Sequence, residues 1–284
     1  MLSTSWNILL VDDEPDVLSV TKLALRNAKV YGIPLTIHTC ASKAEALAFL
    51  KPYTGMISNL AVAFIDVVME SDDAGLQLCK YIREESNNNL TQLIIRTGQP
   101  GVAPERGVID KYDINGYLSK TEATEDKLYT FVKCGIKQFY SQVIGATIDS
   151  LLNYLIAAEG NRAKFKANLD AFFQQALKHD GIPINNFDTH FSVRVGGETV
   201  VAIGVDEGKV ADTHATMIAQ PGRALPKGKG KTVAGDGKVL ISGATANGTP
   251  FSFVVGSRID IPYFLLENLQ GMLRNLATLY LQAK

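Results

Sequence analysis

Apolar residues are grouped along the first 120 positions in short blocks that predict five buried strands. The clearest is Leu60–Asp66, in which six apolar residues run without a break into one carboxylate. A run of this kind is typical of a strand buried on both faces, as in parallel sheets that are covered by helices. The same pattern predicts strands at Ile8–Val11, Leu35–His38, Gln92–Arg96 and Ile114–Leu118. We therefore predict an α/β fold with a doubly wound, five-stranded parallel sheet in this half of the chain.

Polar residues between these strands mark the helices that should connect them. Pro15 suits the first turn of a helix, because the N–H group that it lacks has no partner there in any case. Ser42, with Glu45 three residues later, forms the pattern of a capping box at the start of the next helix. We expect a further amphipathic helix over 74–85 and a short one around 104–110.

Chemically reactive side chains lie at the carboxyl ends of the predicted strands. Asp12 and Asp13 follow the first strand, Asp66 ends the third, Thr97 follows the fourth and Lys120 follows the fifth. Because the carboxyl ends of parallel strands meet at one edge, we expect these five side chains to share a cleft. Clustered carboxylates repel one another and favour a hard divalent cation, Mg²⁺. The lysine and the threonine are suited to bind a phosphoryl group. Helix capping explains a single acid after a strand, but not five coincident placements.

As a set, these residues resemble the receiver domain of two-component response regulators, over about residues 5–140. The resemblance implies that Asp66 is the phosphoacceptor, which takes a phosphoryl group from the phosphohistidine of a kinase. It also implies that Lys120 offsets charge on the transferred group and that Thr97 is the switch hydroxyl. Tyr117 matches the aromatic residue that follows the threonine inward. The partners that this implies are a sensor histidine kinase or a phosphotransfer protein.

The resemblance also implies a magnesium site. In the family, Mg²⁺ is held by the second acid of the pair, by the phosphoacceptor and by the backbone carbonyl two residues further on. These positions match Asp13, Asp66 and Val68 here, with Asp12 as the acid behind them.

The chain departs from the common receiver pattern at several positions. Met69 is followed by a lengthened loop, Glu70–Asp73, where the family usually has a proline, and Thr121 replaces the proline that follows the family's lysine. The segment Arg96–Gly101, R-T-G-Q-P-G, is similar to a subgroup in which the receiver precedes a GAF-like domain of unknown function. Members of that subgroup commonly continue into a cyclic-di-GMP phosphodiesterase or a histidine kinase.

A helical pattern without proline runs from 122 to 159. We interpret it as one long connecting helix, whose far half packs on another chain or domain. Two ordinary helices broken near Gly145 are the alternative. The predicted domains are a receiver at 1–125, a connecting helix at 126–160 and a sensor-like domain at 161–284.

Residues 161–284 predict a smaller α+β domain of the GAF or PAS kind. A helix over Arg162–Lys178 is followed by short strands, with a hairpin at Gly196–Gly197, and a last helix begins after Pro262. The segment Pro221–Lys238 is predicted to be a basic surface loop. Its Gly-Lys-Gly-Lys-Thr stretch lacks the first glycine of a phosphate-binding loop. We find no catalytic constellation in this half, so enzymatic activity is expected only as Mg²⁺-dependent phosphorylation and dephosphorylation of the first half.

Charge and cysteine content indicate which kinds of partner and which cellular compartment to expect. The formal net charge is −1, with −5 in residues 1–160 and +4 in 161–284, which gives no case for nucleic acid or a membrane as partner. Cys40, Cys79 and Cys134 have no metal-ligand spacing, and we predict buried, reduced thiols. With neither a leader pattern nor an apolar run of spanning length, we expect a cytoplasmic protein.

The sequence therefore predicts a response regulator whose receiver acts through the connecting helix. Leucines continue at helical spacing to the end of the chain, which suggests a homodimer or a downstream output domain. Two alternatives remain open. A phosphohydrolase with Asp66 as nucleophile would need a second acid two residues later, where Val68 stands. A degenerate receiver could instead serve as a ligand-binding or dimerisation scaffold.

Overall fold

The computed structural model describes residues 5–53, 59–98, 105–158, 160–178, 187–225, 230–257 and 263–284. They form two compact units, the first through Ile144 and the second from Gly145 onward. Among the described helices, none combines the length and the apolarity that a membrane span requires.

The first unit is a doubly wound α/β sheet, which confirms the predicted fold class. Its elements before the last helix are β1 (Trp6–Val11), α1 (Pro15–Leu25), β2 (Lys29–Val30), β3 (Ile33–Cys40), α2 (Lys43–Leu50), β4 (Leu60–Asp66), α3 (Ala74–Lys80), β5 (Gln92–Thr97), α4 (Glu105–Tyr112) and β6 (Gly116–Ser119). The strand order is β2-β3-β1-β4-β5-β6. Strands β3, β1, β4, β5 and β6 are the five predicted strands and pair in parallel. The two-residue strand β2 pairs antiparallel with β3 and is too short to produce a sequence pattern.

Local chemistry sets the ends of these elements as predicted. Pro15 occupies the first turn of α1. The Ser42 hydroxyl accepts the N–H of Glu45 at 3.2 Å, and the Glu45 carboxylate accepts the N–H of Ala41 at 2.7 Å. Both bonds satisfy backbone donors that have no partner inside α2. All seven residues of β4 are buried, so the longest apolar run of the sequence forms the middle of the core.

The last helix of the first unit, α5, runs without a break over Glu125–Ile156. The alternative of two helices broken near Gly145 is therefore wrong. Gly135 lies where a Cβ atom would come within 2.8 Å of Val62 on β4. A glycine at this position lets α5 approach the sheet closely. The division between the two units falls inside this helix, and the predicted domain boundaries at 125 and 160 remain predictions.

The second unit is an α+β structure with an antiparallel sheet, as predicted. It contains α6 (Arg162–Lys178), β7 (Phe187–Val195), β8 (Glu198–Ile203), α7 (Glu207–Ala219), β9 (Arg223–Leu225), β10 (Gly230–Gly235), β11 (Lys238–Ala244), β12 (Pro250–Ser257) and α8 (Tyr263–Gln282). The strand order is β8-β7-β12-β11-β10-β9, and each neighbouring pair is antiparallel. Gly196 and Gly197 form the turn between β7 and β8 with positive φ angles of 58° and 89°.

Two sequence predictions need correction. The segment 221–238 is not a surface loop throughout, because β9 and β10 lie within it and Val233 of β10 packs in a buried cluster with Leu240 and Val254. Part of its Gly-Lys-Gly-Lys-Thr stretch, at 228 and 229, lies outside the described residues. Cys134 is exposed, whereas Cys40 and Cys79 are buried as predicted.

A buried histidine makes the stability of the second unit depend on pH. His214 of α7 is fully buried and hydrogen-bonds Ser192 of β7 at 2.9 Å and Ser252 of β12 at 2.7 Å. Burial, with smaller effects from the charges of Arg194 and His190, lowers the pKa of His214 to about 4. In the unfolded chain the pKa is about 6.5, so between these values the unfolded state binds more protons and stability falls as pH falls.

We expect acidification from pH 7 to pH 4 to cost the second unit about 3 kcal/mol through this histidine. Hydrogen exchange of the β7 and β12 amides, corrected for intrinsic rates, measures this loss. A His214→Gln variant should show a much weaker dependence on pH over the same interval. An equal dependence in both proteins would assign the effect to other groups.

Candidate functional site

Four parallel strands end at one edge of the first sheet and bring the predicted site residues to it. Asp12 and Asp13 follow β1, Asp66 is the last residue of β4, and Thr97 is the last residue of β5. Lys120 begins a single 3-10 turn directly after β6. The strand order places β1, β4, β5 and β6 side by side, so these residues share one edge.

The Lys120 ammonium is the centre of the contacts at this edge. Its Nζ atom donates to Asp66 Oδ2 at 2.8 Å, to Asp12 Oδ1 at 3.0 Å and to Glu14 Oε1 at 2.7 Å. The side chains of Asp12 and Asp66 are almost completely buried, whereas Glu14 is exposed. Thr121, which stands where the family has proline, does not prevent Lys120 from reaching Asp66.

Three carboxylates at this edge fit a divalent cation. Asp12, Asp13 and Asp66 each offer an oxygen, and these oxygens lie within 4.8 Å of one another. Asp12 Oδ2 is buried without a hydrogen-bond partner among the described residues. A buried carboxylate oxygen without a donor is costly, and a cation with oxygen ligands satisfies it. The donor set is all oxygen, which suits Mg²⁺ and not the softer zinc.

The electrostatics of the cleft follow from burial and crowding. Burial raises the pKa of Asp66 to about 6; the hydrogen bond from Lys120 opposes this rise, and the charge of Asp12 adds to it. Burial by itself would lower the pKa of Lys120, but its hydrogen bonds to Asp66, Glu14 and Asp12 together raise it. Lys120 is therefore a permanent cation, while Asp66 is a more basic carboxylate than an exposed aspartate.

Thr97 and Tyr117 lie on neighbouring strands. Thr97 is buried, and the pairing of β5 with β6 sets it opposite Ser119. Tyr117 pairs with Ile95, two residues before the strand edge, and packs half-buried against the hydrophobic core. Thr97 therefore lies at the same edge as Asp66, and Tyr117 lies below that edge.

The loop after Asp66 is held by specific contacts. The N–H of Gly75 donates to Val67 O at 3.0 Å, and a Cβ atom on Gly75 would lie 1.8 Å from the backbone oxygen of Asp66. Only glycine allows the start of α3 to approach Asp66 this closely. The Glu70 carboxylate accepts the N–H of Lys43 at 3.1 Å, at the start of α2. Val68, whose carbonyl is the predicted metal ligand, is half-buried against the core.

Two residues of the site were not predicted. Glu14, the third ligand of Lys120, directly follows the acidic pair, and this adjacency was the available signal. Arg96 is buried beside Thr97 and donates to Thr21 Oγ1 of α1 at 2.8 Å, while its Nε atom has no partner among the described residues. For Arg96, the feature that could have indicated a role in the site is its charge within a largely apolar strand. Gln99, Pro100 and Gly101 of the R-T-G-Q-P-G segment lie outside the described residues.

Comparisons with known proteins agree with this geometry. The family model described as the response regulator receiver domain matches residues 8–133. A curated relative, the 3′3′-cGAMP-specific phosphodiesterase 2 of Vibrio cholerae serotype O1, is 38% identical over 156 residues. The matched part covers 55% of this chain but only 29% of that protein, so this chain spans well under half of the relative.

Solved structures of receivers are similar to the chain over about half its length. The signal receiver domain of an HD domain-containing protein from Pseudomonas fluorescens Pf-5 is 21% identical, with a TM-score of 0.41, and the match covers 50% of this chain and 94% of that one. The receiver domain of the histidine kinase CKI1 from Arabidopsis thaliana, solved in complex with Mg²⁺, is 20% identical, with a TM-score of 0.37 and coverages of 44% and 90%. The family match, the strand order and the acidic edge together identify residues 8–133 of this chain as a response regulator receiver domain.

Proposed function

We propose that the first unit is a phosphorylation switch in which Asp66 accepts a phosphoryl group from a histidine kinase or a phosphotransfer protein. The observation that supports this most is the contact of Lys120 Nζ with both Asp66 and Asp12 in a buried, acidic cleft. A nucleophilic carboxylate and a fixed cation are thus held at hydrogen-bond distance.

Each side chain of the cleft has a distinct part in the proposed reaction. An Asp66 oxygen attacks phosphorus, the bond to the donor histidine breaks, and the imidazole leaves with the electron pair. Lys120 already donates to Asp66 and offsets charge on the incoming group, and Thr97 donates its hydroxyl to the new phosphoryl oxygens. Mg²⁺, when bound by Asp13, Asp66 and the Val68 carbonyl, supplies further positive charge at the phosphoryl oxygens.

The direct test is uptake of phosphate by the whole chain. Wild type, incubated with Mg²⁺ and a small phosphodonor, is expected to gain the mass of one phosphoryl group, and Asp66→Asn should gain none. Asp16→Asn, which changes an exposed acid of α1, is the matched control and should behave as wild type. Beryllofluoride should shift NMR signals of the β5 and β6 residues in wild type and in Asp16→Asn, but not in Asp66→Asn. If wild type responds to neither reagent, the unit is a degenerate receiver that serves as a scaffold.

We expect Asp13→Asn to weaken Mg²⁺ binding at least tenfold. Mutating a residue that only supports a metal ligand already lowers metal affinity roughly 10–100-fold, and Asp13 is proposed as a direct ligand. Asp13 is exposed at the mouth of the cleft, so this variant should keep the fold. Isothermal titration with MgCl₂ measures the change. Asp72→Asn, in the exposed loop after Asp66, should bind as wild type does. Equal affinity of Asp13→Asn and wild type would remove Asp13 from the proposed ligands.

We further propose that the switch controls a cyclic-dinucleotide phosphodiesterase, as an output domain or as a partner, and that two copies of the chain associate. The 38% identity with a cGAMP-specific phosphodiesterase over 156 residues supports the first point. Most leucines of α8 are buried within the second unit, but the exposed apolar side chains of Ile156 in α5 and Leu281 in α8 support the second. Light scattering on the beryllofluoride samples tests association. A monomer with and without the reagent would exclude a dimeric switch.

A further inference from the structure

Every hydrogen of the Lys120 ammonium group already has an acceptor. A lysine ammonium carries three N–H donors and no acceptor. The three partners of Lys120 are Asp66 Oδ2 at 2.8 Å, Asp12 Oδ1 at 3.0 Å and Glu14 Oε1 at 2.7 Å. A phosphoryl oxygen on Asp66 therefore gains a hydrogen bond from Lys120 only if one of these carboxylates gives up its own.

Glu14 is the partner that can leave at the lowest cost. Its side chain is 61% exposed, so water solvates the carboxylate as soon as the contact breaks. The side chains of Asp12 and Asp66 are only 2% and 4% exposed, and a buried carboxylate that loses a donor is not compensated by water. Asp12 Oδ2 already has no partner among the described residues, and loss of Lys120 would leave the other oxygen of Asp12 worse satisfied as well.

The backbone of Glu14 is held independently of its carboxylate. Its N–H donates to Asp12 Oδ1 at 3.1 Å, and its carbonyl oxygen accepts the N–H groups of Val17 and Leu18 at 3.1 and 3.2 Å. Glu14 is the N-cap residue of α1, but its side chain makes no capping hydrogen bond. The carboxylate can therefore turn away from Lys120 by side-chain rotation alone, while the connection between β1 and α1 stays in place.

Building on the proposed function, we propose that Glu14 holds the Lys120 hydrogen that a phosphoryl oxygen takes over, and that Glu14 opposes phosphorylation of Asp66 until it is displaced. With acetyl phosphate as donor, an Asp66 oxygen bonds to phosphorus, the bond from phosphorus to the acetyl oxygen breaks, and acetate leaves with the electron pair. As Glu14 turns outward, Lys120 donates to a phosphoryl oxygen instead. The hydrogen bond and the charge of Lys120 lower the pKa of Glu14, so one anion replaces another at neutral pH.

Two substitutions at position 14 separate the contact from the charge. Glu14→Gln keeps the length of the side chain and removes the charge that strengthens its bond to Lys120. Glu14→Asp keeps the charge but is one methylene shorter, which draws the carboxylate back from Lys120 because Val17 and Leu18 hold the backbone. Asp16→Asn, which changes another exposed acid of α1, is the matched control. Position 14 is exposed, so these variants should keep the fold.

We expect both position-14 variants to take up phosphate from acetyl phosphate and Mg²⁺ about fivefold faster than wild type. This factor corresponds to about 1 kcal/mol, the upper value for an exposed ion pair. Beryllofluoride should bind both variants more tightly by about the same factor in NMR titrations followed at β5 and β6. Hydrolysis of the phosphoryl group, followed by intact mass, should keep the wild-type rate, because Glu14 has already left Lys120 in the phosphorylated state. Asp16→Asn should match wild type in all three measurements.

Several results would overturn the proposal. Unchanged uptake in both position-14 variants would show that the contact of Glu14 with Lys120 does not oppose phosphorylation. An increase in Glu14→Gln alone would assign the effect to the negative charge at the mouth of the cleft and not to an exchange of partners on Lys120. An equal change in uptake and hydrolysis would show that Glu14 acts on the chemistry itself.

Failure of this proposal is distinguishable from failure of the proposed function. In each of the cases above, wild type still gains one phosphoryl group, so Asp66 remains the phosphoacceptor. If neither wild type nor the position-14 variants gain phosphate or bind beryllofluoride, the proposed function and the role of Glu14 are both refuted.

Discussion

Asp66→Asn is expected to raise the free energy of unfolding of the first unit by about 2 to 3 kcal/mol at pH 8 in the absence of divalent metal. Burial raises the pKa of Asp66 to about 6, against about 3.9 in an unfolded chain. Each pKa unit of this difference means that the ionised carboxylate destabilises the folded state by about 1.4 kcal/mol. Asparagine keeps the shape of the side chain and removes that charge.

The sign of the pH dependence follows from the same pair of values. Between about pH 4 and pH 6 the folded protein retains a proton on Asp66 that the unfolded chain has lost. The wild type therefore loses stability as pH rises through this window, and the full cost is present above it. Asp66→Asn should lack this loss, so the two proteins should converge near pH 4.

Urea denaturation in EDTA at pH 4.5 and at pH 8 measures the difference. The single tryptophan, Trp6, is buried in β1 and reports unfolding of the first unit alone. Mg²⁺ should reduce the gap at pH 8, because it binds and stabilises the folded wild type. Asp16→Asn provides the exposed control. A gap of the same size at both pH values would show that the charge of Asp66 is not the cause.

Gly75→Ala is expected to cost the first unit about 3 kcal/mol or more, at or beyond the upper end of ordinary overpacking. The new methyl group would lie 1.8 Å from the backbone oxygen of Asp66, and backbone atoms cannot move aside as a flexible side chain does. Either the start of α3 or the end of β4 must shift. Because Asp66 itself is displaced in the second case, Mg²⁺ binding should weaken together with stability.

Gly107→Ala is the matched control for this substitution. Gly107 is exposed within α4, and a Cβ atom there would meet no atom within 4 Å. Alanine should therefore stabilise the helix by about 0.5–1 kcal/mol through its lower backbone entropy. Urea denaturation with Trp6 fluorescence and titration with MgCl₂ apply to both variants. A Gly75→Ala protein as stable as wild type would show that the close approach of α3 to Asp66 is not needed.

Elements with strong periodicity and short connections were predictable from the sequence. The unbroken apolar run of β4 indicates a central strand, and strand-end placement alone brings together Asp12, Asp66 and Lys120. The contact of Glu14 with the same lysine was not predictable, because a charged residue at the start of a helix is usually solvated. The position of Arg96 depends on Thr21 of α1, which no local pattern relates to β5.

The second half was less predictable, since its signals are weaker. Helix α7 buries only Val210, His214 and Met217. Because histidine is polar, the apolar periodicity that would predict this helix is weak. Strand β10 contains two glycines and a lysine, a composition that is typical of a loop. This segment is a strand because it pairs with β9 and β11, and these pairings cannot be predicted from the residues of β10 alone.

Helix α5 runs without a break from residues of the first unit into residues of the second. Residues such as Phe139 are buried in the first unit, and Tyr154, in the second, accepts a hydrogen bond from Asn168 at 2.8 Å. Each residue inserted between them would turn the later anchor by about 100° around the helix axis, so two would set it on nearly the opposite face. Seven would return it to within about 20°. For the proposed switch acting through α5, variants that lengthen this helix by seven residues should keep the effect of beryllofluoride on association in light scattering, and variants that lengthen it by two should lose it.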